Sequence, residues 1–333
     1  MERFLKTVLA ALVVLAFAAS GAEAQDKVRI AMVVKNLGNA FFDAAHDGGL
    51  QAAEELGDVE VIYTGPTAPT AEGQIEIINS LIAQRVDAIA ISANDPTALI
   101  PATKRAMSRG IKVISWDSGI AAEGRLMHLN PSNNQLIGAK QIAMMADAIG
   151  GQGEIAILSA TAQATNQNIW IDEMKKELTK PEYGGLNLVT VVYGDDQSDK
   201  SYREALGLFK TYPELKGIIA PTTVGVAAAG KAVEDQDLVG KVFVTGLGLP
   251  SEMQGHVESG AVKSFAIWNP IDLGYSATYL AYRFVKGEAT GATGEEIDAG
   301  RMGKIVIGEA GEAAMAEPFT YDISNVAEFA KIF

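Results

Sequence analysis

Short apolar runs rich in Val and Ile alternate with amphipathic stretches along most of this 333-residue chain, and that alternation restricts its fold more than any other feature. The runs Val28–Val34, Val59–Tyr63, Ala88–Ile91 and Lys112–Trp116 read as strands. A second series follows at Glu154–Leu158, Leu186–Tyr193, Gly217–Ala220, Lys241–Thr245 and Lys263–Trp268. Between them, Phe41–Leu56, Ala71–Gln84, Ala98–Arg109, Gln135–Ile149, Asn168–Leu178 and Ser201–Tyr212 read as helices. A strand that is apolar on both faces needs cover on both faces. One helix between successive strands supplies that cover and the crossover, so the pattern predicts an α/β protein with doubly wound parallel sheets.

The pattern also repeats. Asp87–Ser92, a polar loop, a helix and Gly110–Ser115 form one unit; Lys216–Ala220, a loop, a helix and Gly240–Thr245 form its counterpart. The first half ends near His128 and the second starts near Gly151, which suggests paired lobes with a cleft between them.

The first 24 residues bear on where such a chain works. Arg3 and Lys6 precede an apolar run from Thr7 to Ala19, and Ala22-Glu23-Ala24 closes the segment. A basic start, a short apolar run and an Ala-x-Ala end read as a secretory signal peptide, residues 1–24, cut before Gln25. The run is shorter than the roughly 20 apolar residues a membrane-spanning helix needs. Export of the mature chain is therefore expected. With no Cys in the chain, the core must hold without disulfides. A net charge of −14 argues against nucleic acid and anionic membrane as partners, since both favour an excess of Lys and Arg.

In parallel sheets, ligands bind beyond the carboxyl ends of the strands. Here those positions are polar or aromatic: Lys35 and Asn36, then Ser92 to Asp95 including Asn94, then Trp116, Asp117 and Ser118. In the second half they are Ala164 to Asn168 including Asn166 and Gln167, then Pro221, Thr222 and Thr223, then Trp268, Asn269 and Pro270. With Phe41 and Phe42 added, the mixture fits a neutral polyhydroxylated ligand. Carboxylates and carboxamides match hydroxyls, and flat rings cover the C–H faces of a sugar. Each residue also has a structural reading. Phe41 and Phe42 suit core packing, Trp116 and Trp268 suit either role, and Asp117 suits a turn cap. Lys35 is the hardest to place structurally, because an unpaired buried ammonium is costly.

Catalytic signals are poor. His46, His128 and His256 lack metal-ligand spacing, and no Cys nucleophile or Gly-x-Ser-x-Gly elbow exists. Gly246-Leu247-Gly248 follows a strand without a third glycine, and no P-loop is present, so no cofactor, metal or catalytic residue is expected.

These features together resemble a periplasmic solute-binding protein of a sugar ABC transporter, in the ribose-binding-like, type I group. Val34-Lys35-Asn36-Leu37-Gly38-Asn39-Ala40-Phe41-Phe42 is similar to that family's first-strand motif, where an Asn and paired aromatics contact the sugar. Trp116-Asp117-Ser118 stands where the family places a sugar-binding Asp. Lys35, Thr64-Gly65-Pro66-Thr67, Asn166-Gln167-Asn168-x-Trp170 and Ala220-Pro221 resemble the autoinducer-2 receptor branch. The same residues, with Ser92 to Pro96, Thr245 to Pro250 and Ile267-Trp268-Asn269-Pro270, resemble rhamnose-binding receptors. The autoinducer branch carries Asp where Asn166 and Asn269 stand here, so the resemblance implies L-rhamnose, with autoinducer-2 or another pentose or hexose as the alternative. A family Asp is also missing at Gly248.

The resemblance further implies two lobes joined by a three-segment hinge: residues 25–128 plus 270–294, and residues 129–269 plus 295–333. It implies a monomer that delivers sugar to a membrane permease, with a chemoreceptor as a second candidate partner. A regulator sharing this fold would need a basic DNA-binding segment where the signal peptide stands.

Overall fold

In strand β1 (Val28–Val33) every residue but Arg29 is buried, which is what an apolar strand covered on both faces requires. The computed structural model describes residues 27–333, so the expected signal peptide lies outside the described residues. Helix α1 (Ala40–Leu56) leads to β2 (Val59–Thr64), α2 (Ala71–Gln84) to β3 (Ala88–Ile91), and α3 (Ile100–Ser108) to β4 (Lys112–Trp116) and β5 (His128–Asn130). These strands pair in parallel in the order β2-β1-β3-β4-β5.

The second lobe repeats the plan. Helix α4 (Asn134–Ile149) precedes β6 (Gly153–Ser159), α5 (Thr165–Glu177), β7 (Leu186–Tyr193), α6 (Ser198–Thr211) and β8 (Leu215–Ala220). Then come α7 (Thr223–Asp235), β9 (Phe243–Gly246), α8 (Pro250–Ser259) and β10 (Ser264–Ile267). Strands pair as β7-β6-β8-β9, with single parallel bridges joining β9 and its following turn to the β10 region. The order matches that of the first sheet, so the repeat visible in the sequence is a repeat of topology. This is the two-lobed α/β fold expected from the alternation.

Helix α9 (Pro270–Lys286) crosses back and lies against α1 and the first sheet. Two glycines set how closely the helices approach. A Cβ on Gly48 would stand 1.8 Å from the Ile271 carbonyl oxygen, and one on Gly274 would stand 1.8 Å from that of Ala45. The two backbones touch, and no side chain fits between them. Gly48→Ala is expected to destabilise the protein by about 1–3 kcal/mol by overpacking, read as a lower urea midpoint.

The tail divides between the lobes. The expectation puts 295–333 entirely in the second lobe; the strand pairing corrects this. Strands β11 (Glu296–Asp298) and β12 (Lys304–Val306) form a hairpin beside α9, and β13 (Glu312–Ala314) adds to the first sheet in parallel with β5. Only β14 (Phe319–Asp322) and α10 (Val326–Phe329) reach the second lobe, where β14 pairs antiparallel with β10. The chain therefore crosses between lobes at 131–133, at 268–269 and at 315–318. The first boundary also moves, because Leu129 and Asn130 belong to β5.

A buried polar network explains why β13 docks there. The Arg125 guanidinium donates to the carbonyls of Ile120 (2.7 Å) and Ala310 (3.1 Å) and pairs with Glu312 at 3.3 Å. Asn130 Nδ2 donates to the other Glu312 oxygen at 3.1 Å, and its Oδ1 lies 3.1 Å from His128 Nε2. Ser115 Oγ lies 2.9 Å from His128 Nδ1. Burial, reinforced by the Arg125 charge, pushes the His128 imidazole down to about 3 from 6.5, so it is neutral in the fold. A depressed His pKa means that the unfolded chain binds more protons below pH 6.5, so this stabilisation is full above that pH and fades as pH falls. The stability advantage of wild type over His128→Gln is expected to shrink by about 1.4 kcal/mol per pH unit between pH 6.5 and 4, measured by urea unfolding.

Candidate functional site

The carboxyl ends of both sheets face one cleft with about 360 Å³ of space free of protein atoms, lined from both lobes. One wall is aromatic. Asn39 caps α1 by accepting a hydrogen bond from the Phe41 amide at 3.0 Å, which fixes Phe41 and Phe42 in the first turn at the cleft. Phe41 meets Trp268 edge-to-face at 6.3 Å, and Trp268 meets Trp170 at 5.7 Å. Leu247 and Ile267 complete this apolar side.

A second group of lining residues is charged and polar. Lys35 follows β1 and is buried, with its ammonium donating to Asn166 Oδ1 at 2.9 Å and standing 4.0 Å from Asp117. Asn166 Nδ2 in turn donates to Asp117 Oδ1 at 3.1 Å. One carboxamide from α5 therefore bridges an ammonium and a carboxylate belonging to the other lobe. Ser92 Oγ donates to the remaining Asp117 oxygen at 2.7 Å. Asp117 sits at φ +57°, a left-handed conformation that Asp tolerates better than most residues, and that turn swings its carboxylate into the cleft. Burial pushes its pKa up, while the Lys35 charge pulls it down.

The polar wall continues into the second lobe. Gln167 Oε1 accepts from Ser159 Oγ and the Ala160 amide, both at 2.7 Å, which orients its amide group. The Trp170 indole donates to Asn134 at 2.8 Å. Pro221, Thr222 and Thr223 line the cleft between β8 and α7, and Thr223 Oγ1 lies 3.5 Å from Asn39 Oδ1 across it.

Ten of the fourteen expected residues meet at this cavity: Lys35, Phe41, Phe42, Asp117, Asn166, Gln167, Trp170, Pro221, Thr223 and Trp268. The other four have different work. Asn94 Nδ2 donates to the Lys35 carbonyl at 2.9 Å, so it holds the backbone that carries the ammonium. Trp116 is fully buried behind the wall, edge-on to Phe42 at 5.9 Å. Asn269 caps α9 by accepting from the Ile271 amide at 2.9 Å. Asn36 is buried beside the cavity, with Nδ2 near the Leu37 carbonyl at 3.5 Å. Because an Asp caps a helix as well as an Asn does, the substitution at 269 carries no information about ligand. Asn39, quoted within the first-strand motif, and Thr222, named at its strand end, line the cavity as well, and so does Asp196, which had not been singled out. The strand-end rule, applied to β7, leads directly to Gly194-Asp195-Asp196.

Fold and cleft define a binding protein that holds its ligand between two similar lobes. Residues 30–289 match the periplasmic binding protein domain family, and the chain belongs to that family, as a binding component and not an enzyme. A solute-binding protein of an ABC transporter from Clostridium phytofermentas with bound L-rhamnose is 38% identical, with a TM-score of 0.89, covering 92% of this chain and 99% of that one. LsrB from Clostridium saccharobutylicum, in complex with AI-2, shares the fold at 20% identity and a TM-score of 0.86, covering 91% and 99%. The D-ribose/D-allose-binding protein of Pseudomonas aeruginosa is 27% identical over 68% of this chain and 72% of its own length.

If Asp117 accepts ligand hydroxyls, Asp117→Ala is expected to weaken sugar binding by about 2–4 kcal/mol, since it leaves buried hydroxyls unpaired. The same change takes the carboxylate from buried Lys35, the acceptor from Ser92 and Asn166, and puts Ala in a left-handed conformation, so the melting temperature without sugar is expected to fall while the fold is kept. Calorimetry and thermal unfolding at pH 7 check the two halves.

Proposed function

We propose that this chain is the periplasmic sugar receptor of an ABC importer, that its sugar is L-rhamnose, and that it hands the sugar to a membrane permease. The observation that carries the reading is the make-up of the cavity: an aromatic cluster of Phe41, Trp170 and Trp268 and a polar cluster of Lys35, Asp117 and Asn166. A 6-deoxyhexose is divided in the same way, with a methyl group and C–H faces for the rings and hydroxyls for the charged wall. The 38% identical relative with bound L-rhamnose supports the choice. Asn166 also supports it. Its amide accepts from Lys35 while donating to Asp117, whereas an Asp there would set a third carboxylate beside Asp117 and Asp196 and could not donate unless protonated.

Lobe closure is part of the same reading. Lys35–Asn166, Asn166–Asp117 and Thr223–Asn39 join side chains of different lobes, so a ligand touching both walls favours the joined arrangement. Calorimetry on the protein is expected to give one site for L-rhamnose with a Kd of about 1 μM, or roughly 8 kcal/mol. D-Ribose, D-allose and autoinducer-2 are expected to bind at least tenfold more weakly. No heat with L-rhamnose beside tight binding of any of the others would overturn the assignment.

A further inference from the structure

We propose that Asp196 is a ligand-contacting, specificity-determining residue of the cleft, accepting a sugar hydroxyl from the second lobe while Asp117 accepts others from the first. The inference rests on the sugar-receptor reading. It starts from an arrangement that structural needs do not explain. Asp196 is buried and lines the cavity beside Thr222, and its Oδ1 accepts the Thr222 hydroxyl. Among the described residues, Oδ2 has no hydrogen-bond partner.

A carboxylate is an expensive way to hold one threonine. Burial alone pushes the Asp196 pKa up, and the attraction of Lys35 opposes this only in part. The backbone is also strained: Asp195 and Asp196 sit at φ +55° and +50°, successive left-handed residues without a glycine. The neighbouring Asp195 turns outward to pair with Lys200 at 2.5 Å, so the turn places one of two adjacent acids inside and one outside. Strain, a buried charge and a free acceptor together mark a group held for a partner that the protein itself does not contain.

The charges give that partner a class. One ammonium stands among the cleft's polar groups with two carboxylates, Asp117 and Asp196, reaching in from different lobes. A neutral polyol supplies donors to both acids and acceptors to Lys35. An acidic sugar would place a third negative charge in the same space, so the arrangement selects for hydroxyls and against carboxylates.

The test compares Asp196→Asn with Thr222→Val, using calorimetry with L-rhamnose and with the other sugars named above, so that any sugar the wild type binds serves as the probe. Asn keeps the size and the tolerance of left-handed backbone while losing the charge. Asp196→Asn is expected to weaken binding about tenfold or more, with the melting temperature without sugar unchanged or higher; Thr222→Val is expected to lose about threefold or less. Losses of equal size in the two variants would make Asp196 a positioning residue for Thr222 and overturn the inference. Binding within twofold of wild type in Asp196→Asn would overturn it too. A wild type that prefers a sugar other than L-rhamnose, with the tenfold loss on that sugar, would sink the rhamnose assignment and leave Asp196 in its role. A wild type that binds none of the sugars would sink both.

Discussion

Everything at the cleft depends on a single buried ammonium. Lys35 stands just beyond the end of β1 in the first sheet, buried from water, and a lone charge there would cost more than most folds can bear. Its partners are Asp117 after β4, Asn166 in the helix that follows β6, and Asp196 after β7, so satisfying one charge ties together segments far apart in sequence. The neutral Asn166 reaches from the second lobe and serves Lys35 and Asp117 at once. The polar wall is therefore a property of the two lobes jointly, and neither lobe alone presents it.

The frame behind that wall is built on the opposite principle. Where Gly48 and Gly274 bring α1 and α9 into backbone contact, close packing sets the geometry, and Tyr275 donating to Glu55 at 2.6 Å ties the same two helices together. Phe41 and Phe42 stand at the start of α1, and Asn269 at the start of α9, so this contact sets the position of the aromatic wall. The cleft carries strained and unpaired groups of its own: the left-handed Asp117 and Asp196, and the partnerless indole N–H of Trp268. A rigid frame tolerates such features, and a binding site uses them.

Much of this was legible in the sequence because the buried strands announce themselves. β1, β3, β6 and β8 are apolar runs with the order and spacing that parallel sheets impose. Lys35 stood out for the same reason that it matters, as a charge at the end of an apolar strand. The short elements were silent. β5, β11, β12 and β13 have three residues each, and β13 (Glu312-Ala313-Ala314) buries only its middle residue, so no apolar run marks it. Its place is fixed by the distant Arg125 and Asn130, which no local pattern reveals. Asn94 and Asn269 misled because polar residues at strand ends serve backbone and ligand alike, and residue type does not separate those uses. Asp196 escaped because two adjacent acids after a strand look like an ordinary solvated turn.

The divided tail has a practical consequence. Lys27 precedes a strand of the first sheet, while the Phe333 carbonyl accepts from the Ser251 amide on α8 of the second at 3.2 Å. Fluorophores carried at these two positions would ride on different bodies, each seated on its own sheet and neither touching the cleft. Energy transfer between them would follow the separation of the lobes directly and, on the closure proposed above, would make the molecule a ratiometric reporter of its own occupancy with every cavity residue left native.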